Sequence, residues 1–184
     1  MAVIRYPLSG GKEFREESMY SCYADAARVC LEEEKFFDAT LVCCVGLDVI
    51  LNSLPDRLIC FSSSKLEDSQ TKILEGIENN EPPLTGGGII GRLERARVLD
   101  SKLLRALNVL NDCRNRVIHP FQNGKLKDKV ILPDSATLDD AENFARRFDH
   151  VIDLAGGRSP RSKKRALDRY VDQRNRIRKK PSYS

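Results

Sequence analysis

The chain has no tryptophan, two methionines, two histidines and an aromatic content of 7% over 184 residues. So few large rings fill a β-sandwich core poorly. The 41% of apolar residues must then pack mainly as Leu, Ile, Val and Ala, which suits helices. The six cysteines, at 22, 30, 43, 44, 60 and 113, include no CxxC pair, and neither histidine has a cysteine at ligand spacing. That pattern disfavours a zinc site and suits reduced thiols serving as small buried hydrophobes. Residues 1–11 lack the apolar stretch of a secretion signal. The longest apolar run, 39–51, is interrupted by Asp48 and is too short to span a bilayer. A cytoplasmic protein with no membrane partner, no metal and no cofactor is the expectation.

Charge is plentiful but unevenly placed. Residues 156–184 hold eleven Lys/Arg against two Asp, a net +9, while residues 1–155 hold twenty against twenty-five, a net −5. A basic tail on an acidic body is a natural phosphate partner, with docking to a ribosome or an acidic protein as the other reading. The tail cations include Lys163, Lys164 and Arg165.

The patterning predicts an all-α protein: a helical domain over residues 1–157 and a basic tail over 158–184. A first helix is expected over 16–35, with Tyr20, Ala24, Ala27 and Leu31 on one face. Glu32, Glu33 and Glu34 oppose the helix dipole at its end and imply a bend or a wet turn. A second helix, apolar on two stripes, is expected over 37–54 and to stop at Pro55. Residues 61–88, punctuated by Ser, Pro and Gly, read as an irregular, lid-like insertion with a short acidic helix within 67–78. A third helix is expected over 88–98. A fourth, capped by Asp100 or Ser101, is closed by Pro120. Asn123-Gly124 marks a tight turn. A fifth helix over 137–155 carries the stripe Leu138, Ala141, Ala145, Phe148, Ile152 and Ala155. His150 lies off that stripe and reads as a surface residue.

The chemistry concentrates in Asp112-Cys113-Arg114-Asn115-Arg116-Val117-Ile118-His119-Pro120. Leu103, Leu107, Leu110, Arg114 and Val117 share one helical stripe, so Arg114 interrupts an apolar face. Its guanidinium must meet an anion or point into a wet cleft. Asn108, Asn111, Asp112, Asn115 and His119 form a second stripe of poor helix formers. His119 follows Arg114 by five residues, about 140° round the helix. Such groups fit metal-free RNA cleavage, in which the ribose 2′-OH attacks its own phosphate. An imidazole moves the proton near neutral pH, a guanidinium holds the phosphate, and an amide orients either. One histidine is thin for two proton transfers, and a symmetric dimer would supply the second. The other reading pairs Arg114 with a carboxylate of the bundle and leaves His119 favourable through the helix dipole alone. Spacing by itself is a weak motif.

Taken together, Arg114-Asn115-x-x-x-His119-Pro120 at the end of a long helix in a helical chain of this length resembles the HEPN (higher eukaryotes and prokaryotes nucleotide-binding) family. The resemblance covers about residues 16–155 and is architectural outside the motif. It implies a four- to five-helix bundle that dimerises with the motif helices facing each other. It also implies a metal-independent endoribonuclease leaving a 2′,3′-cyclic phosphate, with Arg114 and His119 as the catalytic pair and Asn115 in support. A toxin or defence role, a protein antitoxin as partner, and inactive members that only bind RNA or protein belong to the same family picture. Arg116, Lys125, Lys127 and Lys129 surround the motif, as RNA-backbone contacts or as ordinary solvated charge. The segment 61–88 and the tail lie outside the family pattern.

Overall fold

The computed structural model describes residues 13–62, 66–79, 85–119, 121–122, 125–126 and 129–155. These form six helices: α1 (Glu13–Glu32), α2 (Phe36–Ser62), α3 (Asp68–Glu78), α4 (Gly86–Ala96), α5 (Ser101–Ile118) and α6 (Leu138–Leu154). The bundle is all-α apart from a two-residue antiparallel ladder between β1 (Phe121–Gln122) and β2 (Lys125–Leu126). Phe121 pairs with Leu126 and Gln122 with Lys125, and the tight turn expected at 123–124 lies outside the described residues.

Helix α2 is the axis, and every other helix packs on it. Cys43, Leu47, Ile50, Leu54 and Leu58 are each no more than 1% exposed. By length and composition its stretch Phe36–Cys60 could cross a membrane, but a helix surrounded by other helices is apolar all round for that reason alone. The sequence predicts a stop at Pro55, and here the structure differs: α2 continues through Pro55 to Ser62. The proline removes one backbone donor, at a cost of about 3 kcal/mol in a helix interior. Burial of Leu54 and Leu58 on either side, worth roughly 1.5–3 kcal/mol each, outweighs it.

Tyr20, Ala24, Ala27 and Leu31 of α1 are buried against α2 and α6 as their spacing requires. The acidic end becomes an exposed turn, with Glu34 at φ 61°. Gly46 lies where α1, α2 and α6 meet. A Cβ there would lie 2.3 Å from the Phe148 ring of α6 and 3.0 Å from Tyr23 Cβ of α1.

The short acidic helix expected within 67–78 is α3, and it is part of the packed body. Leu74 and Ile77 of α3 are buried in the common core. Gln70 Nε2 donates to the Ala96 carbonyl at 2.8 Å, and Arg92 Nη1 to the Gly76 carbonyl at 3.2 Å, so α3 and α4 form a hairpin built into the body. The helix was legible in the sequence, but two buried residues in an acidic segment gave too faint a pattern to show its packing on α4. Thr85 caps α4 by accepting from Gly88 N at 3.2 Å.

Asp100 caps α5, accepting from Lys102 N at 2.7 Å. Thr137 and Asp140 form a capping box at the start of α6. The return between these helices closes on the end of α5, where Ile131 N donates to the Arg116 carbonyl at 3.2 Å. The tail, 158–184, lies outside the described residues.

Candidate functional site

The apolar stripe of α5 holds Leu103, Leu107, Leu110 and Val117 between 0 and 7% exposed, with Arg114 among them. The Arg114 side chain is 13% exposed and meets Asp48 of α2, whose side chain is 41% exposed. Nη2 donates to Oδ2 at 3.0 Å. Nε lies 3.0 Å from Oδ1 but is poorly aligned and has no hydrogen-bond partner of its own. The anion the sequence demanded of Arg114 is therefore an acid from the middle of α2. Asp48, which read only as an interruption of an apolar run, is the residue that sequence reasoning missed. Sixty-six residues separate the partners, and no local pattern joins them.

His119 is the C-cap of α5, at φ −123° and ψ 67°, and is exposed. It makes no hydrogen bond or ion pair among the described residues. Asn115 stands one turn before it on the same stripe, half-buried. Arg114 leaves the helix about 140° away. Within one chain the guanidinium thus faces α2 while the imidazole stands at the open helix end. Arg116 is half-buried beside them and Lys129 is exposed. Lys125 belongs to β2, whereas Lys127, Lys163, Lys164 and Arg165 lie outside the described residues.

Asn111, expected on the polar stripe, is 6% exposed, and its Oδ1 has no hydrogen-bond partner. It packs where α4 begins: a Cβ on Gly86 would come within 2.8 Å of that oxygen. This explains one of the poor helix formers as a close-packing residue between α4 and α5.

The local thiols are held neutral. Burial pushes Cys44 up to about 12 against the opposing effect of Arg114, and burial also raises Cys113, opposed by Arg147 and Arg116. Among the described residues no three His, Cys, Asp or Glu side chains gather as a metal-binding group. Comparison of the chain with protein-family models, with curated proteins and with solved structures gave no match.

Proposed function

We propose that this chain is a HEPN-type, metal-independent endoribonuclease that acts as a cytoplasmic homodimer. The observation that carries the reading is the last turn of α5, where an anchored guanidinium, an amide and an exposed imidazole occur within six residues. Asp48 holds Arg114 in one orientation, and Nη1 makes no hydrogen bond among the described residues. A fixed donor loses little entropy on meeting a phosphate.

In the proposed reaction the 2′ oxygen bonds to phosphorus as one His119 takes its proton. The bond to the 5′ oxygen breaks, and the His119 of a second protomer protonates that leaving oxygen. The products are a 2′,3′-cyclic phosphate and a 5′-hydroxyl. Arg114 and Asn115 bind the phosphate and its added charge. Val45, 46% exposed and three residues before Asp48, and Ile118, 37% exposed and four after Arg114, supply apolar surface beside the motif for the second protomer. Cleavage of this kind suits a toxin or defence effector restrained by an antitoxin protein.

A second reading is a silent module that binds RNA or a protein partner. It is favoured by the same ion pair, because Asp48 already neutralises Arg114. Incubating the purified full-length protein with single-stranded RNA in EDTA separates the two. The ribonuclease cuts, and His119→Ala and Arg114→Ala each stop cutting while the helical signal persists. Cutting that survives His119→Ala removes the ribonuclease reading.

A further inference from the structure

Helices α5 and α6 enclose a groove of about 700 Å³ that the ribonuclease reading does not use. Its walls carry Lys102 and Arg105 from α5 and Asn143, Arg146, Arg147 and His150 from α6, and no carboxylate among the described residues lines it. None of these four cations is in an ion pair among the described residues. Arg147 Nε donates to Asn143 Oδ1 at 3.0 Å, which positions that guanidinium. Such a concentration of one sign is not a reflection of composition, because residues 1–155 carry five more acids than bases.

We infer that this groove binds the sugar–phosphate backbone of single-stranded RNA and leads it along α5 to His119. This deepens the ribonuclease reading and rests on it for the endpoint. Four uncompensated cations complement a row of phosphates. Ala106 and Val109 add apolar lining, and no Phe, Tyr or Trp stands beside them among the described residues, so the contacts of the four cations fall on the backbone and carry no sequence preference. The chain's own tail, with eleven Lys/Arg against two Asp, has the same sign of charge as this groove and does not complement it. Arg116 follows Arg105 by eleven residues and returns to within about 20° of its face, and the position of His119 lies about 40° to the other side of that face. Arg116 and Arg147 are also near enough to each other's side of the helix pair to act on the same thiol, Cys113. Asp112, exposed, shares the Arg105 face but is not among the groove's lining residues.

The test uses full-length protein carrying His119→Ala, so that RNA survives the measurement, and a fluorescein-labelled uridine oligonucleotide read by anisotropy across a salt series. Adding Arg105→Glu and Arg146→Glu, both at exposed positions, is expected to weaken binding at least about tenfold and to flatten the salt slope by about 1.4, the loss for two phosphates on a single strand. Arg105→Ala with Arg146→Ala repeats the measurement with a milder change, and circular dichroism checks both folds. A comparison protein carries Lys163→Glu, Lys164→Glu and Arg165→Glu. Affinity and slope that respond to the tail changes and ignore the groove changes overturn the inference, as does absence of binding. Cleavage by the unmodified chain is scored separately. Groove-dependent binding without cleavage defeats the ribonuclease and leaves the groove assigned, whereas cleavage with groove-independent binding defeats the groove alone.

Discussion

Arg114 and Asp48 share an ion pair across the α2–α5 interface but not equally: the guanidinium is 13% exposed and the carboxylate 41%. Water screens the acid, so the pair itself is worth on the order of 1 kcal/mol or less. The asymmetry matters when one partner is removed. Asp48→Ala leaves a nearly buried cation whose Nε is already without a partner, and is expected to cost about 1–3 kcal/mol. Arg114→Met keeps most of the volume and returns Asp48 to solvent, and is expected to cost under about 1 kcal/mol. Urea midpoints at unchanged m-value make the comparison. Equal losses in the two variants would count against a mainly one-sided burial.

Two glycines should respond to alanine with opposite signs. Gly46 lies where α1, α2 and α6 converge, and a methyl there would sit 2.3 Å from the Phe148 ring, itself fully buried. Overpacking of this kind costs about 1–3 kcal/mol, more than the roughly 1 kcal/mol a helix gains from replacing glycine. Gly46→Ala is therefore expected to lower the thermal midpoint. Gly91 lies inside α4 with nothing within 4 Å of a new Cβ. Gly91→Ala is expected to stabilise by about 0.5–1 kcal/mol. Thermal unfolding of both variants provides the check.

These residues also show what the sequence could and could not reveal. The stripes of α1, α5 and α6 were legible because apolar residues recur along one face, and nearly all of them are buried. Arg114 stood out for the same reason: it broke such a face. Its partner was hidden, since only tertiary packing brings α2 to α5. Pro55 misled because proline was read from its local cost alone, while Leu54 and Leu58 repay that cost through contacts invisible in the chain. The basic groove was missed in the same way. Lys102 and Arg105 are an ordinary pair on one helix, Arg146 and Arg147 an ordinary pair on another, and only their meeting makes a field. Asn111 needed the neighbouring Gly86 to be understood.

The thiols give a prediction with a pH sign. Burial lifts Cys44 from the ordinary 9.0 to about 12 and also raises Cys43, largely through the loss of water around the charged form. Both folded values stand above the unfolded one, so the protonated thiols favour the fold. That contribution is complete below about pH 9, and it is lost as pH rises from there toward 12. The urea midpoint should fall between pH 8.5 and 10.5 by more than it does in a Cys43→Ala, Cys44→Ala protein, as expected from linkage at roughly these values. At pH near 8, a thiol reagent should label the exposed Cys22 and Cys60 first, and reach Cys43, Cys44 and Cys113 only on unfolding. Peptide mass spectrometry identifies the labelled positions. Rapid labelling of Cys43 in the folded protein would contradict this packing.

The divergence of Arg114 and His119 on α5 leads to a prediction about assembly. With about 140° between them, one chain directs the guanidinium toward Asp48 and the imidazole toward the helix end. A phosphate that needs both is served best where two copies of α5 face each other and share their groups. Because the proposed cleavage uses the imidazoles of both protomers, His119→Ala protein mixed with unmodified protein and allowed to exchange subunits should lower cleavage beyond simple dilution. At equal amounts random pairing leaves about a quarter of the dimers with both imidazoles, so activity should approach about a quarter of that of the unmodified protein at the same total concentration and should fall at the rate of subunit exchange. Sedimentation should show the dimer at the same concentrations. A monomer that cuts RNA at full rate, or a mixture that keeps about half the activity while mixed dimers are present, would rule out a site shared between protomers.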